Sequence, residues 1–332
     1  MTASPEVLIL DVGHGNCSVI RADGSVCVVD APVGTTLLET LRLLKISRID
    51  TIILSHADKD HVAGVSTLLT SEEFEVSTLY VNADSTKGRG SRSPWYKLRV
   101  SIKIARQKGK LTVITALTSD SQPIAIGTVL LEVLAPSPEL ILGGAGSTGL
   151  NDETQLTSNS TSAVIRVVYK RQGMFLFPGD LDGTGLDSMI AEGKKAKAKT
   201  LVFPHHGGLP GNASVEDFAA KLCKHVHPEL IIFSNSRKQF SNPRPEVISS
   251  IRKVSSSEIA CTQLSRRCLE VADEVSDGHL HDLPSHGRKD KSCCAGSLRF
   301  CLDNLLASNP RSCLFPHEEF VSTYVHSSLC KS

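Results

Sequence analysis

Ile49-Asp50-Thr51-Ile52-Ile53-Leu54-Ser55-His56-Ala57-Asp58-Lys59-Asp60-His61-Val62-Ala63-Gly64 is the stretch that decides how this chain is read. An apolar run of strand length delivers four metal-binding side chains, His56, Asp58, Asp60 and His61, to what should be the end of a buried strand. Open sheets present their chemistry at strand ends of this kind. His56 and Asp58 lie two apart, so on extended backbone they point the same way and can share one ion. Asp60 and His61 follow after a turn and can aim at a second. A solvated acidic loop with a helix cap explains a lone His or Asp, but four ligands closed by a glycine read as a dinuclear metal site.

The sequence around this cluster predicts alternating elements. Short strands are expected over Val7–Val12, Cys17–Ile20 and Ser25–Val29, a helix over Thr35–Leu44, a strand over Thr51–Leu54, a helix over Val62–Leu69 and a strand over Thr78–Asn82. Further strands are expected at Val129–Leu134, Ala163–Tyr169, Met174–Phe177, Leu201–Phe203 and Leu230–Phe233, with helices at Thr184–Glu192, Val215–His225 and after Pro245. Mixed strands with helices outside imply two sheets between helical layers, an α/β sandwich of four layers. The Gly- and Ser-rich stretch from Gly143, polar as far as Ser162, should be a mobile surface loop.

Four further motifs stand in a fixed order. They are Leu10-Asp11-Val12-Gly13-His14-Gly15-Asn16, Asn159-Ser160-Thr161-Ser162-Ala163-Val164, Phe177-Pro178-Gly179-Asp180 and Phe203-Pro204-His205-His206-Gly207-Gly208. With His-x-Asp-x-Asp-His, this order resembles the metallo-β-lactamase fold superfamily over about residues 5 to 260. The Asp at position 58 resembles the ComEC-like branch, named for the hydrolase domain of a bacterial DNA-uptake protein. The resemblance implies a four-layer αβ/βα hydrolase domain, expected over residues 1–305, followed by a tail over 306–332.

It also implies roles. Asp60, His61 and His205 resemble the ligands of one metal, and Asp180 resembles the bridge to a second metal held by His56 and Asp58. Asn159 stands where most relatives place another His, so the second position should bind less tightly. One or two divalent ions are expected, zinc or manganese, with magnesium a third candidate given the hard carboxylate donors. His205 is favoured over His206 as the ligand, leaving His206 behind it or against substrate. Asp11 and His14 resemble the first motif, in which the acid usually supports the site from outside. Asn242, in Phe240-Ser241-Asn242-Pro243, occupies the place of a His that can donate a proton in relatives; an amide cannot. Asp60, His206 and Asn242 are the candidate catalytic residues.

Hydrolysis by metal-activated water follows from such a site. Composition leaves the substrate open, because the net charge of +1 gives no general attraction to nucleic acid. Between Asp84 and Asp120, however, nine cations and no acid occur, with Trp95 and Tyr96 among them. A helix over residues 95–108 would place Leu98, Ile102 and Ala105 on its apolar face. Arg99, Lys103 and Arg106 would then be free to contact a nucleic-acid strand. The competing reading is a solvated helix whose Trp95 packs in the core. The run Lys194–Lys199 reads as a solvated turn. The expected activity is phosphodiester hydrolysis of DNA or another nucleic acid. The alternatives are a hydrolase of a small ester, lactam or cyclic nucleotide, and a non-catalytic metal-binding interaction or sensor module.

Seven of the ten cysteines fall after residue 260. Cys261, Cys268 and one of Cys293 and Cys294 could share a structural zinc with a His, or be free buried thiols. Ser276–Ser292 reads as a loop, Ala295–Leu302 as a closing strand and the residues after Ser308 as a loosely attached tail. No apolar run reaches bilayer-spanning length. The opening residues lack the basic end and apolar core of a signal peptide, so the expected location is cytoplasmic.

Overall fold

The computed structural model describes residues 4–87, 90–149, 154–270 and 277–331. Arg89 of the basic run, Leu150, Asn151 and Asp152 of the glycine-rich stretch, and Ser276 lie outside the described residues. In chain order the strands are β1 (Glu6–Ile9), β2 (Ser18–Ala22), β3 (Ser25–Val29), β4 (Arg48–Ile53), β5 (Glu75–Tyr80), β6 (Thr112–Ile114), β7 (Ile124–Ile126), β8 (Val129–Ala135), β9 (Val164–Tyr169), β10 (Gln172–Phe177), β11 (Thr200–Val202), β12 (Leu230–Phe233), β13 (Glu258–Cys261) and β14 (Leu298–Cys301). The helices are α1 (Thr36–Leu43), α2 (Lys59–Val62), α3 (Val65–Thr70), α4 (Pro94–Gln107), α5 (Pro138–Gly143), α6 (Gly183–Ala191), α7 (Val215–Val226), α8 (Pro245–Val254), α9 (Arg266–Leu269), α10 (Leu302–Ala307) and α11 (Phe315–Tyr324).

The strands form two seven-stranded sheets, ordered β14-β1-β2-β3-β4-β5-β6 and β13-β12-β11-β10-β9-β8-β7. Side chains alternate across each strand, so each sheet has an inner and an outer apolar face. Val7 and Ile9 of β1, Cys27 and Val29 of β3, and Phe175 and Phe177 of β10 meet between the sheets. Leu8, Val26 and Val28 point the other way, onto Leu37 and Leu41 of α1, Leu68 of α3 and Leu98 of α4. On the second sheet Leu176, Leu201 and Ile231 pack outward against Leu186 of α6, Leu222 of α7 and Ile251 of α8. The four-layer α/β architecture expected from the sequence is present.

What matters for the site is strand direction. β3, β4 and β5 run parallel to one another, as do β10, β11 and β12. Each group releases its loops at a single edge, the carboxyl edge, where side chains are free of the ladder.

Two expectations are corrected. Residues 154–162 are not a mobile surface loop: Ser158, Ser160 and Ser162 are buried. Asp182 accepts hydrogen bonds from Thr157 Oγ1 at 3.0 Å and Ser160 Oγ at 2.7 Å, so hydroxyls on this polar stretch find buried partners instead of water. Nor are the residues after Ser308 a loose tail. Leu314 joins the core between the sheets, and Phe320 and Val321 of α11, with Val325 and Leu329, join the outer core of the second sheet. The boundary expected at residue 306 therefore divides one packed unit.

Phe320 is 3% exposed and its ring stacks on His279 at 3.7 Å between centroids. Replacing it with alanine should lower unfolding stability by about 3–5 kcal/mol, as for other buried Phe truncations. A change below about 0.5 kcal/mol in a denaturant titration, the surface level, would restore the loose-tail picture.

Candidate metal centre

Asp30 follows β3, Ser55 to His61 follow β4, Asp180 follows β10, and His205 and His206 follow β11. Ligand atoms of Asp60, His61, Asp180 and His206 all lie within 4.8 Å of one another. This is the sole group of three or more His, Cys, Asp or Glu ligand atoms so clustered among the described residues. Asp180 Oδ1 stands 3.3 Å from His61 Nε2 and 3.7 Å from His206 Nε2, and Asp60 Oδ2 stands 3.4 Å from His206 Nε2.

Each imidazole is aimed by its far nitrogen. His61 Nδ1 lies 2.7 Å from Asp30 Oδ2, and His206 Nδ1 lies 2.7 Å from the Ser234 carbonyl. Those contacts fix Nδ1 as the hydrogen-bonding nitrogen and turn Nε2 inward, the arrangement that orients metal-binding histidines. Ser55 adds a brace: its N–H and hydroxyl both donate to Asp30, each at 2.8 Å.

Asp180 arrives through close backbone packing. Gly179 has φ +56°, and a Cβ there would fall 2.4 Å from Ser162 Oγ and 2.5 Å from Ser55 Cβ. The loops after β4 and β10 can therefore touch because residue 179 has no side chain.

The His-His pair resolves differently from expectation. His205 and His206 both adopt left-handed backbone, φ +53° and +57°, followed by Gly207 at +83°. Such backbone is strained for residues other than glycine and is found where function over-determines it. The twist turns His206 into the cluster and His205 alongside it, with His205 Nδ1 3.8 Å from Asp180 Oδ2. The structure thus brings His206, and not His205, into the group of clustered ligand atoms.

The other expected residues divide. His56 Nε2 faces Asp58 Oδ2 at 3.7 Å and Asp180 Oδ2 at 4.0 Å, so both lie beside the cluster without joining it. His14 Nε2 contacts Asp60 Oδ2 at 3.0 Å, with its ring between those of His206 and Phe240. Asp11 is buried away from the ligands. It accepts from Gly13 N, Gly287 N and Gln263 Nε2 and supports the loops from behind. Asn242 donates its amide to the His205 carbonyl at 3.3 Å, so its side chain holds the strained turn. Asn159 Oδ1 is buried without a hydrogen-bond partner.

Cys261, Cys268 and Cys294 share the outer core of the second sheet, with Cys330 packed against it, and Cys294 Sγ faces His317 Nε2 at 3.1 Å. Cys293 turns elsewhere, its Sγ 3.7 Å from Asp11 Oδ2. All ten are free thiols. Burial pushes those of Cys261 and Cys294 well up, which suits packed, neutral sulfur.

Arg99, Lys103 and Arg106 line a groove of about 860 Å³ with Trp95, Leu98 and Ile102, to which Asp84 and Ser85 also contribute. Trp95 is buried at 8% exposure, so its ring packs in the core, as in the competing reading of this helix. Sequence reasoning missed Asp30, whose signal was an acid at the end of the apolar run Val26–Val29, beside the metal strand. It also missed Lys87 as a site residue.

The donor set fits a divalent cation. Nε2 of His56, His61, His205 and His206 and Oδ1 of Asp180 are buried without a hydrogen-bond partner. Leaving one buried polar atom unmatched costs about 1–3 kcal/mol, so the unmatched atoms of His61, His206 and Asp180, which share one cluster, call for a common partner. Although burial opposes it, Asp180 and Asp30 hold a proton on His61 well above the usual imidazole range, and Asp180 and Asp60 raise His206 above its ordinary value. Asp180 itself is held well below the carboxylate range against burial, chiefly by His61 and His206. Negative charge at this centre recruits whatever cation is available, which in metal-free protein is the proton.

The chain belongs to the metallo-beta-lactamase superfamily, whose family model matches residues 10–214. Among solved structures it is similar to the metallo-beta-lactamase fold protein YhfI from Bacillus subtilis, at 13% identity over 77% of this chain and 96% of that one, with a TM-score of 0.48. Tm1679, a metal-dependent hydrolase of the beta-lactamase superfamily, is 16% identical over 77% and 95% with a TM-score of 0.47. Igni18, a metallo hydrolase from Ignicoccus hospitalis, is 14% identical over 76% and 94% with a TM-score of 0.44. No curated protein matches the sequence. No helix among the described residues is long and apolar enough to cross a membrane.

Two outcomes are expected. His206→Ala should weaken Mn(II) binding by more than the ~10–100-fold typical of an outer partner, and Asp30→Ala should fall within that range. Calorimetric titration of His205→Ala beside them checks the assignment, since a larger loss there would reverse it. The second concerns pH in metal-free protein. The raised His61 and His206 values contribute stability fully below about pH 6.5 that is lost as pH rises through their folded values. Asp180, depressed in the fold, contributes stability above about pH 4 that is lost as pH falls. The unfolding midpoint should therefore fall above about pH 6.5 and be restored there by metal; a flat profile across that range would contradict the charge assignment.

Proposed function

We propose that this chain is a metal-dependent phosphodiesterase acting on DNA or another nucleic acid. The observation that carries the hydrolytic reading is the inward convergence of Asp60, His61, Asp180 and His206, with their outward nitrogens already committed to Asp30 and Ser234. A divalent ion bound there supplies an electrophile and a water of lowered pKa.

The chain's own residues do the rest. Asp60, partly exposed, and Asp180, buried, are the carboxylates that would hold the ion and keep the centre from an excess of positive charge. Asp60 also accepts from His14, which is 19% exposed at its side chain and stands where a substrate oxygen would enter. Its ring nitrogen contact with Asp60 fixes its orientation. Asn242 is turned to the His205 carbonyl and serves the turn, not a proton transfer.

The phosphodiester class is supported by cations at the rim. Lys87 reaches Asp58 at the edge of the centre, and Arg99, Lys103 and Arg106 line the groove to which Asp84 and Ser85 also contribute. Asp58, in place of the usual second His, supports the ComEC-like branch and, with it, nucleic acid as the polymer.

Hydrolysis of bis(p-nitrophenyl) phosphate and of single- and double-stranded DNA, measured under Mn(II) and Zn(II) titration, tests this reading. Asp60→Ala should lose at least ~10³-fold in both reactions while keeping its fold, as for loss of a main transition-state stabiliser. Paired Arg99→Glu and Lys103→Glu changes should weaken DNA cleavage and flatten its salt dependence without touching the small diester. Equal losses on both substrates would remove the groove from the mechanism. A metal-loaded protein inert to every substrate would favour the interaction module.

A further inference from the structure

The half of the centre built by His56 and Asp58 offers a second cation position, yet Asp58 does not join the ligand cluster. Its Oδ1 is already engaged by the Lys87 ammonium, while its Oδ2 faces His56 Nε2 at 3.7 Å.

Lys87 is not a side chain that has drifted onto an acid. It ends the short turn Ser85–Lys87 that follows β5 at the carboxyl edge. That turn is braced: Asp84 Oδ1 accepts from Thr86 N at 2.8 Å and Thr86 Oγ1 at 2.6 Å. Asp84 Oδ2 accepts from Ser158 Oγ at 2.5 Å, next to Asn159 in the loop where an imidazole was expected. Among the described residues of the acid-free stretch between Asp84 and Asp120, Lys87 is the cation that makes an ion pair. The same brace that fixes Lys87 thus fixes the loop lacking the missing ligand.

We propose that Lys87 is the second cation of this centre: its ammonium holds Asp58 Oδ1 and takes up the charge that the His56 half would offer a second ion, so that the protein binds one metal ion per chain. This rests on the metal-centre reading above and specifies it. An ammonium carries three donors; Asp58 takes one and two remain for a phosphoryl oxygen. Unlike a second dication it does not exchange and does not acidify water. The labour divides accordingly. The nucleophile is prepared at Asp60, His61, Asp180 and His206, and charge developing on the phosphoryl group is met by Lys87.

The test is Mn(II) titration of the metal-free full chain by calorimetry, with electron paramagnetic resonance of the loaded protein. Wild type should bind one equivalent and show an isolated-ion spectrum. Lys87→Ala frees Asp58 and should bind a second, weaker equivalent with the signature of a coupled pair, whereas Lys87→Arg, which keeps the charge, should stay at one. Lys87 is about one-third exposed, so neither change threatens folding. Two tight equivalents in wild type, or a single equivalent in Lys87→Ala, overturns the proposal. No equivalent in wild type overturns the metal-centre reading itself, and the two failures are distinct.

Discussion

His61 lies between two buried carboxylates that come from different sheets. Asp30 grips its Nδ1 at 2.7 Å from the end of β3, and Asp180 faces its Nε2 at 3.3 Å from the loop after β10. Buried charge is tolerated only when paired, and removing one partner of such a set typically costs about 3–5 kcal/mol. The line Asp30–His61–Asp180 is therefore a constraint on the whole sandwich. It ties the carboxyl edges of both sheets to one point, and the backbone around it conforms, with Asp30 at φ +59° and Gly179 admitted where a Cβ would collide. A cation between the carboxylates completes the balance that the surrounding nitrogens begin.

The sequence made the fold legible because the features that specify it are local. Continuous apolar runs such as Val26–Val29 and Leu230–Phe233 mark strands whose two faces pack on different cores, and the four ligands of the β4 loop sit within six consecutive positions. What it concealed depends on distant partners or on backbone hand. Which of His205 and His206 points inward is set by three successive positive φ angles, and no spacing rule expresses those. Asp30 is an ordinary strand-end acid until Ser55 and His61 arrive from another strand. The edge strands β6 and β7 are three residues each, too short to carry a pattern. The cysteines after residue 260 match no compact knuckle in their spacing, and which of them come together is set by distant elements of the second sheet's outer core.

The last quarter of the described chain has a structural task that its polarity obscures. The backbone of residues 286–287 binds Asp11 from both sides, with His286 N donating to the Asp11 carbonyl and Gly287 N to its carboxylate. Gln263 adds a third hydrogen bond to the same side chain at 2.8 Å. Desolvation pushes the Asp11 carboxyl up, and these donors work against that push, so the acid is held by geometry it could not find in solvent. The loop carrying His14 thereby rests on residues more than two hundred and fifty positions away.

That separation has a temporal side. β1 pairs with β14, Glu6 against Cys301 and Ile9 against Leu298, so the first strand of its sheet has one neighbour nearby and another nearly three hundred residues later. During synthesis the metal-binding loop after β4 leaves the ribosome long before the strand that closes its sheet and the segment that seats Asp11. Contacts of such long range form slowly and late. A nascent chain would already display the histidines and aspartates while their scaffold was open. The final geometry for a metal ion is then reached only once β14 has been made, so a chain stopped before it would display the ligands without the scaffold that places them.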